Sequence, residues 1–179
     1  MLIGIISDTH DCLSLIDVAV KQLNKERVKL VLHAGDFIAP FVAAHLKPLK
    51  AELIGVFGNN DGDKEVLPKK FAEIGAEIRG DFAEIIVDGL KFALLHGHSA
   101  ELLRSLVNSG GYHVVVHGHT HQANVYRRSA TLVINPGEAC GYLSGKATIA
   151  IFDTENHEVR ILQLNRKPNL HKIQMPRGR

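Results

Sequence analysis

The chain has 179 residues, of which 45% are hydrophobic, and its formal net charge is +2. This length suits one compact domain and is too short for two, while the small net charge argues against a surface that attracts nucleic acid or a membrane. The two cysteines, Cys12 and Cys140, lack CxxC spacing, which argues against a disulfide framework and a thiolate zinc site.

The first half of the chain alternates strand and helix patterns. Short apolar runs predict three buried strands, at 2–7, 29–36 and 51–57. Apolar residues at helical spacing predict three helices, at 13–27, 39–47 and 64–75. Pro48 ends the second helix, and Gly75 is the expected cap of the third. This order predicts parallel strands that are joined by crossover helices.

The second half of the chain is dominated by strand patterns. Asp88-Gly89 is a turn signal that predicts a hairpin over 82–97, and a helix is expected at about 100–108. Five strand-like segments follow, at 112–117, 123–128, 131–136, 146–153 and 157–164. The chain therefore begins as α/β and ends as mostly antiparallel β. This order favours a sandwich of two sheets with helices outside over one open sheet.

The sandwich domain is expected to span residues 1–165, followed by a basic C-terminal tail at 166–179. A solvated tail and a contact to a partner both remain open for this segment, although it has no aromatic residue for stacking on bases. The N-terminus has neither a basic start nor a cleavage site, and no apolar run is long enough to span a bilayer. A cytoplasmic protein that does not enter membranes is therefore expected.

Five of the strand-like runs end in a polar cluster. The clusters are Ser7-Asp8-Thr9-His10, Gly35-Asp36, Gly58-Asn59-Asn60-Asp61, His96-Gly97-His98 and His117-Gly118-His119-Thr120-His121. In α/β sheets, ligands bind outside the carboxyl ends of the strands, where these clusters can meet. Carboxylate, amide and imidazole groups bind divalent cations, so the sequence predicts a metal site without thiolate ligands.

The segment VVVHGHTHQANV at 114–125 places three histidines at alternate positions after three valines. In extended backbone, this alternation would point His117, His119 and His121 to one side. Imidazoles this close together need partners if they are buried, and a metal would supply them. The alternative is a polar turn whose histidines bond to the backbone. Four histidines outside the clusters, His33, His45, His113 and His157, are expected to be structural or exposed.

The ordered motifs DTH, GD, GNN, HGH and GHTH resemble those of the calcineurin-like metallophosphoesterases over about residues 1–165. The short chain looks like the compact phosphodiesterase branch, which also contains the metallophosphoesterase-like subunit of retromer. The resemblance implies an αββα sandwich of two stacked mixed sheets and a centre of two metals. Asp8, His10 and His121 would bind the first metal and Asn59, His96 and His119 the second, with Asp36 bridging both. His98 would contact substrate and His117 would support a ligand, with a structural role open for each.

Two divalent ions with Asp8, Asp36 and a bridging hydroxide leave the centre with a net positive charge, which stabilises an anionic phosphoester. The resemblance thus implies a metal-dependent phosphodiesterase whose nucleophile is the metal-activated hydroxide, with no further catalytic residue. Manganese is the favoured ion, with nickel, iron, cobalt and zinc as alternatives. Asn60 departs from the histidine usual in the family. It can donate a hydrogen bond to the substrate phosphate but cannot deliver a proton.

Two other functions are weighed against hydrolysis of a small phosphodiester. The first is a non-catalytic metal-binding scaffold that resembles the retromer subunit, against which the complete ligand set argues. The second is a nuclease, which the small net charge and the lack of a basic, aromatic-lined stretch near the motifs disfavour. The sequence is compatible with a homo-oligomer and does not identify the substrate.

Overall fold

The computed structural model describes residues 1–165 of the chain. The strands of this part are β1 Leu2–Ile6, β2 Leu30–His33, β3 Glu52–Gly55, β4 Glu77–Ile78, β5 Phe82–Val87, β6 Leu90–Leu95, β7 Val114–Val116, β8 Ala123–Arg128, β9 Thr131–Pro136, β10 Thr148–Asp153 and β11 Val159–Gln163. The helices are α1 Leu13–Glu26, α2 Val42–Leu46, α3 Val66–Ala72 and α4 Ala100–Asn108. The predicted basic tail at 166–179 lies outside the described residues.

The strands form two mixed sheets. The first sheet has the order β11-β10-β1-β2-β3-β4. Strands β1 to β4 run parallel, and β10 pairs antiparallel with both β1 and β11. The second sheet has the order β5-β6-β7-β9-β8. Two mixed sheets flanked by helices confirm the predicted sandwich. The two-residue strand β4 was not predicted, because so short a strand has no periodic pattern to detect.

The second sheet differs from the mostly antiparallel arrangement that the sequence suggested. Its hairpins, β5–β6 and β8–β9, are antiparallel, but β6, β7 and β9 run parallel to one another. The parallel pairing of β6 with β7 follows from α4, which crosses between them as a connecting helix. The strand β8 lies at the edge of the sheet, and β9, which follows it in the chain, lies between β8 and β7.

Alternating side chains of the strands fill the core on both sides of each sheet. Ile3 and Ile5 of β1 pack between the sheets with Val114 and Val116 of β7. On the outer faces, the first sheet packs against α1, α2 and α3, and Val115 of β7 joins the cluster under α4. The sandwich therefore has a rigid middle from which the strand ends project.

The local turns agree with the sequence signals. Asp88 and Gly89, at φ of 49° and 75°, form the turn between β5 and β6, as left-handed backbone at both positions requires. The helix α3 ends at Ala72, and Gly75 follows it with a φ of 77°. Within residues 1–165, none of the helices combines the length and the apolar character that crossing a bilayer demands.

Candidate metal centre

Loops from both sheets meet at the carboxyl ends of the parallel strands. Asp8 and His10 follow β1, Asp36 follows β2, and His96 follows β6 of the other sheet. The backbone N–H of Asp8 donates to Gly35 O at 3.0 Å, and that of His10 donates to Asp36 O at 3.0 Å. These bonds fix the loops after β1 and β2 against each other, so the four side chains share one small space.

Two carboxylates occupy the middle of this space. Asp36 Oδ2 lies 3.4 Å from His10 Nε2 and 3.4 Å from His96 Nε2. Asp8 Oδ1 lies 3.4 Å from His121 Nε2 and 3.8 Å from His10 Nε2. Two ligands that each bind one ion at about 2.0–2.2 Å lie roughly 3–4 Å apart. The separations therefore suit cations held between these atoms.

The histidine rings form two pairs on either side of Asp36. The ring centroids of His10 and His121 are 5.1 Å apart, and those of His96 and His119 are 5.2 Å apart. Asp36 contacts one member of each pair, His10 and His96. This grouping is the one that the sequence resemblance implied for two metal positions with one bridging carboxylate.

Among the candidate ligands, three buried atoms lack a hydrogen-bond partner within the described residues: Asp8 Oδ1, His10 Nε2 and His96 Nε2. Leaving such atoms unpaired in the interior costs about 1–3 kcal/mol for each group. All three point into the space shared with Asp36, and all three belong to residue types that bind divalent cations. A bound cation would satisfy all three atoms, so the residues present fit a metal.

The backbone of this site is strained. Five candidate ligands have left-handed backbone, with φ of 53° for Asp8, 42° for His10, 60° for Asp36, 69° for His119 and 59° for His121. This conformation costs roughly 1–2 kcal/mol for a residue that carries a Cβ, and such strain concentrates at functional sites. The candidate ligands are held in place at the expense of stability.

The segment that follows β7 is not extended, which corrects the alternation expected for its histidines. His119 and His121 adopt left-handed backbone, and their rings reach different pairs, beside His96 and beside His10. His117 is buried apart from both pairs, with its Nδ1 3.1 Å from Gly118 O. Tight turns, and not strand alternation, therefore direct these side chains.

Glycines allow the loops to approach the two carboxylates closely. A Cβ on Gly118 would lie 1.9 Å from Ser7 Oγ and 2.6 Å from Asp8 Oδ2. A Cβ on Gly58 would lie 2.1 Å from Asp36 Oδ1. Any side chain at either position would displace a candidate ligand.

Burial and charge act in opposite directions on the ionisable groups of the centre. Burial opposes ionisation of Asp36, but the His96 ring and donation from Asn60 hold the pKa of Asp36 below its usual range. Burial likewise lowers the pKa of His96, yet the facing carboxylates of Asp36 and Asp8 raise it overall. The attraction between anionic carboxylates and imidazoles is the interaction that a bound cation replaces.

Asn60 and Asn59 lie on different sides of the loop after β3. The backbone N–H of Asn60 donates to Asp36 Oδ1 at 2.9 Å, and its side-chain Nδ2 donates to Asp36 Oδ2 at 2.7 Å. The amide expected to contact substrate therefore holds Asp36. Asn59 lines a cavity of about 210 Å³ together with His96 and His98, which places it beside the second pair of rings.

His98 is exposed beside this cavity. Its ring centroid lies 5.9 Å from that of His96 and 6.3 Å from that of His119. Lys64 and Leu102 line the same cavity. The position is open to a ligand next to the rings of His96 and His119, and a contact of His98 with substrate stays a prediction.

Two buried carboxylates that sequence reasoning missed support the centre. Asp61 accepts hydrogen bonds from the backbone N–H groups of Asp36, Ile38 and Gly58, at 3.0, 2.7 and 2.7 Å. It therefore ties the loop after β2 to the loop after β3. Asp61 stood in a recognised cluster, but nothing in its spacing separated a supporting role from a surface position.

Glu138 is the second missed carboxylate. It is fully buried, and its Oε2 lies 2.8 Å from Nδ1 of His121. Burial raises its pKa, but hydrogen bonds from His121 and Ser144 bring the pKa of Glu138 down to about 2. Glu138 follows β9, so the rule that polar clusters end the buried strands could have found it.

The thiol of Cys140 lies close enough to His10 and His121 to form a second candidate group. Burial raises the pKa of this thiol far above its ordinary value, and the neighbouring Glu138 raises it further. The thiolate is the form of cysteine that binds metals. In the metal-free protein the thiol of Cys140 donates to Glu138 at 3.1 Å, so it already has a partner beside the carboxylates of Asp8 and Asp36.

Histidines outside the centre have structural partners. His33 is buried, its Nε2 lies 3.2 Å from Thr9 Oγ1, and its ring stacks on Phe37 at 3.7 Å. His45 Nδ1 lies 2.8 Å from Asp17 Oδ1. His113 and His157 are exposed, as expected.

Comparison with known proteins places these features in context. The family model of the calcineurin-like phosphoesterase superfamily domain matches residues 1–157. The chain is 45% identical over 165 residues to the phosphodiesterase MJ0936 of Methanocaldococcus jannaschii, covering 92% of this chain and 99% of that protein. It is 34% identical over 145 residues to a probable metallophosphoesterase of Methanothermobacter thermautotrophicus, with 76% of each chain covered.

Solved structures show the same fold. An archaeal phosphodiesterase superposes with a TM-score of 0.88 at 44% identity, covering 92% of this chain and 100% of that chain. Vps29 of Entamoeba histolytica superposes with a TM-score of 0.68 at 19% identity, covering 92% of this chain and 100% of that chain. At the lower identity, the likeness concerns the fold alone.

Proposed function

This chain belongs to the calcineurin-like phosphoesterase superfamily, and we propose that it is a metal-dependent enzyme that hydrolyses small phosphodiesters. The observation that carries the proposal is the set of buried, unpartnered atoms of Asp8, His10 and His96 that converge beside Asp36. A family member with 45% identity over most of the chain is a phosphodiesterase, which supports this activity over others that a metal site could host.

The ligand assignment follows the two ring pairs. We assign Asp36 as the bridge between two metal positions. The first position would take Asp8, His10 and His121, and the second would take Asn59, His96 and His119. When bound, two divalent cations would lower the pKa of a water molecule and offset the charge of the phosphate. Manganese remains our proposed ion, because mixed nitrogen and oxygen ligands suit it.

The protein itself orients the ligands and sets the charge of the site. The Nδ1 atom of His96 lies 2.7 Å from Ala34 O, a bond that leaves Nε2 facing Asp36. Nδ1 of His121 is likewise engaged by Glu138. Among the assigned ligands only Asp8 and Asp36 are anionic, so two dications leave the site positive. A positive site attracts a phosphodiester anion and stabilises its transition state.

The size of the site supports a small substrate. The cavity beside Asn59 and His98 has a volume of about 210 Å³, which is room for one ester group of a substrate. The nuclease alternative gains nothing from this geometry. A metal-binding scaffold without catalysis, the other alternative, would hold the same ligands, so hydrolysis is the property that separates it from an enzyme.

The test compares a diester with a monoester. Protein freed of metal and then loaded with Mn²⁺ should hydrolyse bis(para-nitrophenyl) phosphate, and it should prefer this diester to para-nitrophenyl phosphate. Activity should disappear on chelation and return with metal. A folded, metal-loaded protein that cleaves neither ester would refute the proposed function and favour the scaffold.

A further inference from the structure

A single buried carboxylate joins the candidate metal centre to the loop at 141–146. Glu138 follows β9 and has no exposed surface. It accepts hydrogen bonds from His121 Nδ1 at 2.8 Å, Cys140 Sγ at 3.1 Å, Tyr142 N at 2.9 Å, Leu143 N at 3.0 and 3.1 Å, and Ser144 N. The five donors satisfy the buried charge, and they come from two places, the His121 ring on one side and residues 140–144 on the other.

On the side of the centre, Glu138 fixes one imidazole. Its bond to Nδ1 of His121 leaves Nε2 of that ring directed at Asp8 Oδ1, 3.4 Å away. A carboxylate that holds the far nitrogen of a metal-binding histidine sets the ring orientation and raises its basicity. His121 has left-handed backbone, so its own main chain does not favour this placement.

On the other side, the same carboxylate fixes the main chain of three consecutive residues. Tyr142, Leu143 and Ser144 direct their N–H groups at Glu138. Hydrogen bonds to an ionised acceptor are roughly twice as strong as neutral ones. The backbone of the loop is therefore fixed, while the side chains of Tyr142 and Leu143 keep most of their surface exposed.

The side chains of this loop are large, apolar and exposed beside the first ring pair. Tyr142 is 59% exposed and Leu143 is 76% exposed, and the Tyr142 ring centroid lies 6.4 Å from that of His10. Scattered exposed apolar residues are normal. Two in succession, on a backbone clamped by a buried charge next to candidate metal ligands, form a wall that a substrate can contact.

We propose that Glu138 is a positioning residue that fixes His121 and the loop at 141–146 together, and that Tyr142 and Leu143 form a binding wall for an aromatic or otherwise apolar ester group of the substrate. The inference rests on the proposed phosphodiesterase function and deepens it. The ester group on the side of His10 and His121 would be aromatic or otherwise apolar. The other ester group would occupy the cavity beside His96.

The wall is tested with two diesters that share one leaving group. Phenyl para-nitrophenyl phosphate and methyl para-nitrophenyl phosphate differ only in the ester group that stays on the phosphate after para-nitrophenol has left. Tyr142→Ala should raise KM for the phenyl ester about 3–10-fold, the range of an aromatic contact, and leave the methyl ester unchanged. Tyr142→Phe should behave as wild type. Tyr126→Ala, at an exposed tyrosine in the middle of β8, is the matched control and should change neither.

The positioning role is tested with Glu138→Gln, which keeps the shape but turns an amide N–H toward the donors of the loop. Mn²⁺ affinity, measured by calorimetry, should fall about 10–100-fold. At saturating Mn²⁺, the ratio of KM for the methyl ester to KM for the phenyl ester should fall toward its value in Tyr142→Ala. Glu158→Gln, at an exposed carboxylate, is the control. A variant that only unfolds at lower temperature, with metal affinity and ester preference intact, would overturn the role of Glu138.

A spectroscopic measurement keeps the inference testable if Glu138→Gln does not fold. In ring ¹⁵N spectra of the wild type, His121 should carry its proton on Nδ1, donated to Glu138. A proton on Nε2 would overturn the positioning role. If the wild type cleaves both esters and Tyr142→Ala leaves their KM ratio unchanged, the wall is wrong and the proposed function stands. If the wild type cleaves neither ester, the proposed function fails, while Mn²⁺ binding by Glu138→Gln still tests the positioning role.

Discussion

Replacing Asp36 with Asn should damage both metal positions at once. Asp36 Oδ2 faces His10 Nε2 and His96 Nε2 at 3.4 Å each, one from each ring pair. The substitution keeps the shape and removes the charge that both positions would share. Loss of a residue that merely supports a ligand costs about 10–100-fold in metal affinity, so loss of a bridging ligand should cost more than about 100-fold at both positions.

The same substitution has a cost in the metal-free protein. Both carboxylate oxygens of Asp36 accept from Asn60, one from its backbone N–H and one from its Nδ2. In Asp36→Asn, one oxygen becomes an NH₂ donor, so either orientation of the new amide places it against an Asn60 donor. An unsatisfied buried group of this kind costs about 1–3 kcal/mol. The thermal midpoint should therefore fall by roughly 2–10 °C in a chain of this length.

The assay is a Mn²⁺ titration with metal content measured by mass spectrometry, on wild type, Asp36→Asn and His121→Ala. We expect two ions in the wild type, weak binding at both positions in Asp36→Asn, and loss confined to one position in His121→Ala. The reasoning is refuted if folded Asp36→Asn retains one ion at wild-type affinity, because Asp36 would then serve a single position.

Three further predictions follow from other parts of the structure. Gly118→Ala should weaken Mn²⁺ binding more than about 10-fold while the protein still folds, because a Cβ there would overlap Ser7 and Asp8; unchanged affinity would contradict the close approach. Burial lowers the pKa of His33 to about 3, so its ring should stay neutral at pH 5 by NMR. Below about pH 6.5 the unfolded chain takes up a proton on His33 and the folded chain does not. The free energy of unfolding should therefore fall by up to about 1.4 kcal/mol for each pH unit between 6.5 and 3. A pKa of His33 near 6.5 would contradict the burial argument. Asn60 donates a side-chain N–H to Asp36 and, as a neutral amide, cannot deliver a proton, so turnover should depend steeply on the pKa of the leaving group. Asn60→His should speed alkyl diesters more than nitrophenyl diesters, by up to about 10²-fold. A flat dependence in the wild type would show that another group protonates the leaving oxygen.

The convergence of the polar clusters could be predicted from the sequence because it follows from strand order alone. Once Leu2–Ile6, Leu30–His33 and Glu52–Gly55 form parallel strands, the residues after them meet at one edge. Strand content, the Asp88-Gly89 hairpin and the helix at Ala100–Asn108 followed from equally local signals. These features depend on short stretches of chain, which composition and periodicity describe well.

The features that could not be predicted depend on contacts between distant residues. Left-handed backbone is uncommon for any residue other than glycine, so no local rule would have placed it at His119 and His121 after Val114–Val116. The position of Glu138 after β9 could have been noticed, but its bond to His121, 17 residues away in sequence, forms only in the folded chain. The parallel pairing of β7 with β9 likewise depends on a strand that passes along the edge before returning.

The central claim is that two cations bind on either side of Asp36, and a crystal of the Mn²⁺-loaded wild type tests it most directly. Anomalous scattering at the manganese edge should show two peaks, one between His10 and His121 and one between His96 and His119. Their separation should be about 3.5–4 Å, as in other two-metal sites. A single peak, or none in this space at saturating metal, would contradict the account.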